Sequence, residues 1–481
     1  MRRPTAVFGR PITDFASTAP LWLCGIAVVG LIWALSASAE LSAQQPNAEK
    51  APSAPDNNAV PPPQDAAPVE DAAEPPPELP PGFKPPGKLP QDMQFEKPLM
   101  TDEEEEALKK ELLQAAYKNV LFNGDLNPAG VQDLLKKVAK YDVYRLSMRK
   151  YRRNLHEIRD ALMSDVRNAA TLLKAGPQAD SFRTYFLQEV VNRAEELLDG
   201  NFYVRLQAAL VLSHLNLREY AQGAPEGPFA PALKPLVAIV DSDEQRQAVK
   251  IVAVRGIQRM SLAGIPTETE RVDIATRIIS ELKNPKSHAW YQCRLIEALA
   301  TIDLAVDREN RAFIIQILTE IVADDGRHWL VRTEAAKGIG RAKISATINL
   351  KKVIYEVVKL GRDMIDAYNQ KPNAYYWRNC FFNLYLTFQP RDPDEKTRQA
   401  GLKTRDFGDY NALLDSAYQE IHPLAAHVLN ASSALPEPIP HARIDGAEDW
   451  LKKNVPENQT VGPGLPPISR LQAKDETRPQ R

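Results

Sequence analysis

Residues 328–342, HWLVRTEAAKGIGRA, place Val331, Ala335, Ala336 and Ile339 on one face of a helix. The same spacing recurs in residues 201–215, 246–260, 288–302 and 374–388. Its anchors are Val204, Val249, Tyr291, Val331 and Trp377, separated by 45, 42, 40 and 46 residues. The position after the anchor is Arg205, Lys250, Gln292, Arg332 and Arg378. Four and five residues after the anchor stand Ala208/Ala209, Ala253/Val254, Leu295/Ile296, Ala335/Ala336 and Phe381/Phe382. A second apolar-periodic segment precedes each one, over 183–198, 230–240, 270–282, 309–322 and 350–367. The spacing therefore predicts antiparallel helix pairs of about 40–47 residues, each too thin to bury its apolar side without neighbours.

Helical patterning begins earlier. Thr101 and Glu104 form a capping-box pattern, and a helix is expected from there to about 122, ended by Asn123-Gly124. A short helix is expected over 130–140, then one long helix or two over 141–174. That last stretch carries Arg145, Arg149, Lys150, Arg152, Arg153 and Arg159. It is either a patch for anionic lipid or polymer, or a solvated face paired with the acidic residues 102–106. Beyond Pro390 the pattern weakens. A helix over 411–422, continuing past Pro423 to 430, and a small helix over 446–453 are expected to cap the array.

An aspartate stands seven residues before the basic position in two segments, Asp325…Arg332 and Asp243…Lys250. With the period, this resembles the HEAT-repeat family over residues 180–390. The resemblance implies a ladder of Asp–Arg hydrogen bonds between successive repeats and a binding scaffold as the class of work. The chain departs from the pattern at Asp199, one residue short, at Gln292, and at Asn373, too close to Arg378. The expected fold is all-α: an α-solenoid of about five to seven HEAT-like helix pairs, with a disordered Pro-rich N-terminal arm and a disordered C-terminal tail. The expected divisions are a signal peptide or membrane anchor over 1–43, a Pro-rich linker over 44–100 and an N-terminal helical region over 101–180. The repeats then cover 181–390, a helical cap 391–455 and a tail 456–481.

The first of these divisions sets the address. Arg2, Arg3 and Arg10 precede the apolar run 21–35, and Ala37-Ser38-Ala39 follows as a cleavage site. The run is short for a membrane span of about 20 residues. Extended to residues 19–39 it becomes an uncleaved anchor, so membrane association through that stretch stays open. Both readings export the rest of the chain to the periplasm or cell envelope. The proline clusters of the linker make it an extended spacer of roughly 170 Å at most. The 39 prolines of the 481 residues lie mainly near the two ends.

The net charge of −2 gives no global field for nucleic acid, which is not an expected partner. Motifs for haem attachment, zinc proteolysis, the serine elbow and phosphate binding are absent, so no cofactor, metal or catalytic residue is assigned. Cys293 and Cys380 are expected as buried thiols. The candidate partner-binding residues are Trp290, Trp329, Tyr375, His288 and His328, before or at the start of second helices. Stacked pairs would align them along one edge, either gripping a partner or closing turns between pairs. The expected work is a non-catalytic scaffold binding another protein. The alternatives are an envelope-tethered element contacting anionic polymer or lipid, and an enzyme without a recognisable motif.

Overall fold

The computed structural model of the chain describes residues 98–173, 176–220, 225–390, 401–431 and 436–468. All lie in the compact unit that begins at Pro85. The expected signal or anchor, nearly all of the Pro-rich linker and residues 469–481 of the tail lie outside the described residues. The fold is all-α. Among the described residues, sixteen α-helices are joined by short turns and one small antiparallel ribbon, Asn216–Arg218 with Gly227–Pro228. Among the described residues no helix is long and apolar enough to cross a membrane.

Helix α1 (Asp102–Gln114) opens on the capping box read in the sequence. The Glu104 N–H donates to Thr101 Oγ1 at 3.2 Å, and the Thr101 N–H to Glu104 Oε2 at 2.9 Å. The expected single helix to 122 instead breaks at Ala116, which adopts φ 46°, and α2 (Tyr117–Asn123) follows. Helix α3 (Val131–Tyr144) is longer than its pattern suggested. The helix expected across 141–174 is interrupted by two 3-10 turns, Arg145–Ser147 and Arg149–Tyr151, before α4 (Leu155–Asn168). The cause lies in α1. The buried carboxylate of Glu105 gathers Arg145 at 3.2 Å, Lys150, and the Tyr151 hydroxyl at 2.6 Å. A regular helix would turn those three side chains to different faces, so the backbone bends to bring them together. Lys150 also reaches Asp102 at 2.9 Å. Two of the six basic residues, Arg145 and Lys150, are thus tied to the acidic first turn.

Helix α5 (Pro177–Glu196) leads into five closely related second helices. They are α6 (Phe202–His214), α8 (Gln247–Leu262), α10 (Ala289–Thr301), α12 (Trp329–Arg341) and α14 (Trp377–Phe388). Each packs on the next in that order, and α15 (Asn411–Asn430) continues the row. The first helices α7 (Leu233–Asp241), α9 (Glu268–Leu282), α11 (Phe313–Ala323) and α13 (Leu350–Gln370) also meet in sequence order. Val204, Val249, Tyr291, Val331 and Trp377 are all buried, as are the residues four later: Ala208, Ala253, Leu295, Ala335 and Phe381. Small residues set the spacing. A Cβ on Gly340 would stand 2.5 Å from the Thr387 carbonyl oxygen of α14, so α12 and α14 touch backbone to backbone there.

The C-terminal region departs from expectation in two ways. Helix α15 runs through Pro423 as expected, whereas α16 (His441–Lys453) starts five residues earlier than its apolar pattern. The tail expected from 456 onward is structured as far as Ile468. Its Val461 is buried, and its carbonyls accept hydrogen bonds from Asn349 and Gln316. A proline-rich, polar sequence whose few large apolar residues, Val461, Leu465 and Ile468, show no regular period gives little hydrophobic signal, which is why it read as disordered.

Candidate functional site: an aromatic edge

The candidate residues sit at the N-termini of α10, α12 and α14. His288 and His328 have a local task that the sequence did not reveal: each is the N-cap of its helix. His288 Nδ1 accepts from the Trp290 N–H at 3.1 Å, and His328 Nδ1 from the Leu330 N–H at 3.2 Å. Asn201 does the same for α6, accepting from Tyr203 and Val204. Histidine is not among the favoured capping residues, whereas asparagine is. The equivalent spacing of the two histidines is therefore accounted for by helix geometry. Accepting through Nδ1 fixes each ring, when neutral, in the tautomer that carries its proton on Nε2. No group of three metal-ligating side chains occurs among the described residues.

Three of the five candidates form one cluster. The His328 ring meets Tyr376 edge-on at 5.0 Å, and Trp329 meets Trp377 at 5.8 Å. Tyr376 contacts Tyr375 at 5.5 Å and Trp377 at 4.9 Å. Trp377 is the buried root, packed on Tyr368 and Phe381. The Arg332 guanidinium lies 4.8 Å from the Trp329 ring centroid, a cation–π geometry. Burial lowers the His328 pKa although its ring keeps an exposed edge, so the neutral capping form is favoured. Trp290 and His288 stand one second helix away, and among the described residues no ring contact joins them to this cluster. Tyr376 is the linking residue that sequence reasoning did not single out. Its signal was its place between an exposed tyrosine and the buried anchor.

Exposure sorts the candidates. Tyr375 is 86% exposed and Trp290 54%, both far above what a packing residue of that size needs. Trp329 is half-buried beneath Arg332 and against Trp377, so it serves packing as well as surface.

The position after each anchor carries a second regularity. Arg205 donates to the Glu244 carbonyl at 3.1 Å, and Lys250 pairs with Glu281 at 3.0 Å. Arg332 approaches Asp363 at 3.7 Å, and Arg378 donates to the Leu429 carbonyl at 3.0 Å. Each of these partners belongs to an element that follows in the chain, while Arg332 Nε also donates back to the Val322 carbonyl of α11 at 3.0 Å. The carboxylates that pair with Lys250 and Arg332 here, Glu281 and Asp363, lie on the next first helix, α9 and α13. Asp325, seven residues upstream of Arg332 and named by the resemblance, adds Coulombic attraction to it.

Behind the edge, α10, α12 and α14 share a buried polar cluster. Lys337 pairs with Glu334 and reaches Glu297 at 3.5 Å, and Asn383 donates to Glu334 at 2.9 Å. Burial raises the Glu334 pKa, partly offset by Lys337. Cys293 faces the Leu330 carbonyl at 3.7 Å. Burial pushes both thiols upward, Cys380 to about 12, so both are protonated at neutral pH and poor nucleophiles. The edge thus leaves the aromatic rings of Trp290 and Tyr375 open to solvent.

No protein-family model matches the chain, and neither a curated protein nor a solved structure does so.

Proposed function

We propose that the chain is an exported, non-catalytic scaffold of the HEAT-like α-solenoid type, and that it binds another protein through the edge formed by His288, Trp290, His328, Trp329 and Tyr375. The observation that carries this reading is the exposure of Trp290 and Tyr375 on a rigid row of helix N-termini. Tyrosine and tryptophan give large contact area for little side-chain entropy, and rigid elements present it without ordering cost. The sequential packing of second helices on one another supports the solenoid reading, as does the basic residue after four of the five anchors, which ties its helix to an element that follows. The export reading rests on the basic flank, apolar run and small-residue site of residues 1–43.

Crosslinking in intact cells followed by mass spectrometry tests the reading. Wild-type chain should yield one stoichiometric partner from the envelope fraction, with crosslinks near residues 288–290 and 375. Trp290→Ala combined with Tyr375→Ala should lose it while the melting temperature stays unchanged. Recovery of the protein alone, or unchanged recovery with the double variant, sinks the proposal.

A further inference from the structure

A second surface, independent of the aromatic edge, is already occupied by the chain's own C-terminal segment. Residues 456–468 cross α11 and α13 as an irregular strap. Asn349, the N-cap of α13, holds most of it. Its backbone N–H donates to the Val461 carbonyl at 2.7 Å, and its side-chain amide to the carbonyls of Asn458 and Thr460, each at 3.1 Å. The Gln316 amide of α11 donates to the Pro466 carbonyl at 3.3 Å, and Lys352 of α13 to Gln459 Oε1 at 2.7 Å. The groove therefore reads main-chain carbonyls and buries Val461 fully, while Leu465 and Ile468 pack partly buried against the core.

The strap also holds its own shape. The Thr460 N–H and hydroxyl both donate to Asn458 Oδ1 at 2.9 Å, and the Ile468 N–H donates to the Gln459 carbonyl at 3.2 Å. A bridge joins Thr460 to Pro467. A segment shaped by its own hydrogen bonds loses less entropy on docking than a free chain does.

The floor beneath is unexpectedly polar. Gln316, Glu320, Lys352 and Glu356 are all buried. Lys352 pairs with Glu356 at 2.7 Å, and Gln316 Oε1 has no hydrogen-bond partner among the described residues. A permanently covered floor is usually at least as stable when apolar. Polar side chains with an unmet acceptor suit a surface that meets water whenever its cover lifts.

We propose that this face of α11 and α13 is a binding site for a proline-flanked peptide that folds back on itself, that residues 456–468 fill it in cis, and that the strap detaches reversibly so that such a peptide can enter in trans. The probe is a fluorescent synthetic peptide of residues 455–468, read by anisotropy on the full-length chain. Val461→Asp places a carboxylate in the apolar socket and should release the strap while leaving the groove intact. The folded variant should bind the peptide at least about tenfold more tightly than wild type, whose open fraction limits access. Adding Asn349→Asp, which keeps the helix cap and removes the amide donor, should abolish that binding. A folded Val461→Asp chain that ignores the peptide overturns the proposal, as does indifference to Asn349→Asp. Hydrogen exchange on the wild-type chain decides the matter even if Val461→Asp fails to fold. The Asn349 amide should exchange at least about tenfold faster than the amides of α12. Exchange of both together, only through global unfolding, overturns reversible detachment.

Discussion

The Arg327 guanidinium donates to the Gln292 side-chain oxygen at 2.6 Å, inside the one second helix whose post-anchor position is not basic. Arg327 also pairs with Asp324 at 3.0 Å and donates to the Leu282 carbonyl at 2.7 Å. Gln292 in turn donates to the carbonyls of Pro285 and Ser287. The cation missing from α10 is thus supplied from the turn before α12, and glutamine is the residue that can accept it. Burial lowers the Arg327 pKa, with Asp324 opposing the shift.

This relationship predicts an inverted outcome for an apparently corrective change. Gln292→Arg would match Arg205 and Arg332 at the same position, yet it sets a second cation against buried Arg327. The variant should be destabilised. Arg327→Ala strands Asp324 and should cost about 3–5 kcal/mol, the range for breaking a buried ion pair. Urea unfolding followed by circular dichroism measures both, and a Gln292→Arg midpoint at or above wild type contradicts the account.

Close helix approach makes a second prediction. A Cβ on Gly340 would meet the Thr387 carbonyl oxygen at 2.5 Å, and one on Gly256 would meet the Leu236 and Ser213 side chains at 2.8 and 2.9 Å. Alanine is the better helix former by roughly 0.8–1 kcal/mol, so propensity alone favours both substitutions. Overpacking wins where backbone cannot retreat, typically by about 1–3 kcal/mol. Gly340→Ala should therefore lower the melting temperature, and by more than Gly256→Ala, whose obstructing atoms are mainly side chain. Differential scanning calorimetry checks the order.

What the sequence revealed follows from which causes are local. Val204, Val249 and Val331 announce buried helix faces because their spacing with Ala208, Ala253 and Ala335 is set within one helix. The capping box at Thr101 and Glu104 is equally local. The break after Tyr144 was hidden because its cause, Glu105, lies some forty residues earlier. The strap was hidden because Asn349, which grips it, lies more than one hundred residues before Asn458. Of the candidate residues, the pattern brought out Trp290 and Tyr375 as surface groups. It did not show that His288 and His328 are caps, since their acceptor role is defined by φ and ψ at the helix start.

The cap role of His328 predicts a pH dependence. Its Nδ1 accepts a hydrogen bond, which only the neutral ring can do, and burial depresses its pKa. The unfolded chain then binds a proton more readily than the folded one. Stability is fully present above the unfolded histidine value, about 6.5, and is lost as pH falls through the lower folded value. His328→Asn keeps an acceptor at the cap, as Asn201 does, without titrating. It should match wild type within about 0.5 kcal/mol at pH 8 and exceed it at pH 5, whereas His328→Ala should lose about 1 kcal/mol at pH 8. Thermal melts at the two pH values distinguish the three chains.

Asp142 carries the opposite sign. It is buried between α2, α3 and α4, and burial raises its carboxyl pKa first, with the charge of Asp165 second. Lys118 and Arg145 act against the shift, and Lys118 pairs directly with Asp165. Tyr117 faces the same carboxylates, and its pKa is pushed up to about 12, so it stays neutral. Lys118 is bonded to Asp165, and the raised pKa of Asp142 favours a proton on the pair of acids. A raised folded pKa gives stability that is complete below the unfolded carboxyl value of about 4 and declines as pH rises through the folded value. The decline is at most about 1.4 kcal/mol per pH unit for one proton. Asp142→Asn keeps the shape, cannot ionise, and removes that decline. Its urea midpoint should lie close to wild type at pH 5 and move above it toward pH 9. Asp165→Asn instead removes the direct partner of Lys118 and should be destabilising at every pH in that range. Parallel curves for wild type and Asp142→Asn from pH 5 to 9 would show that the pair holds no extra proton.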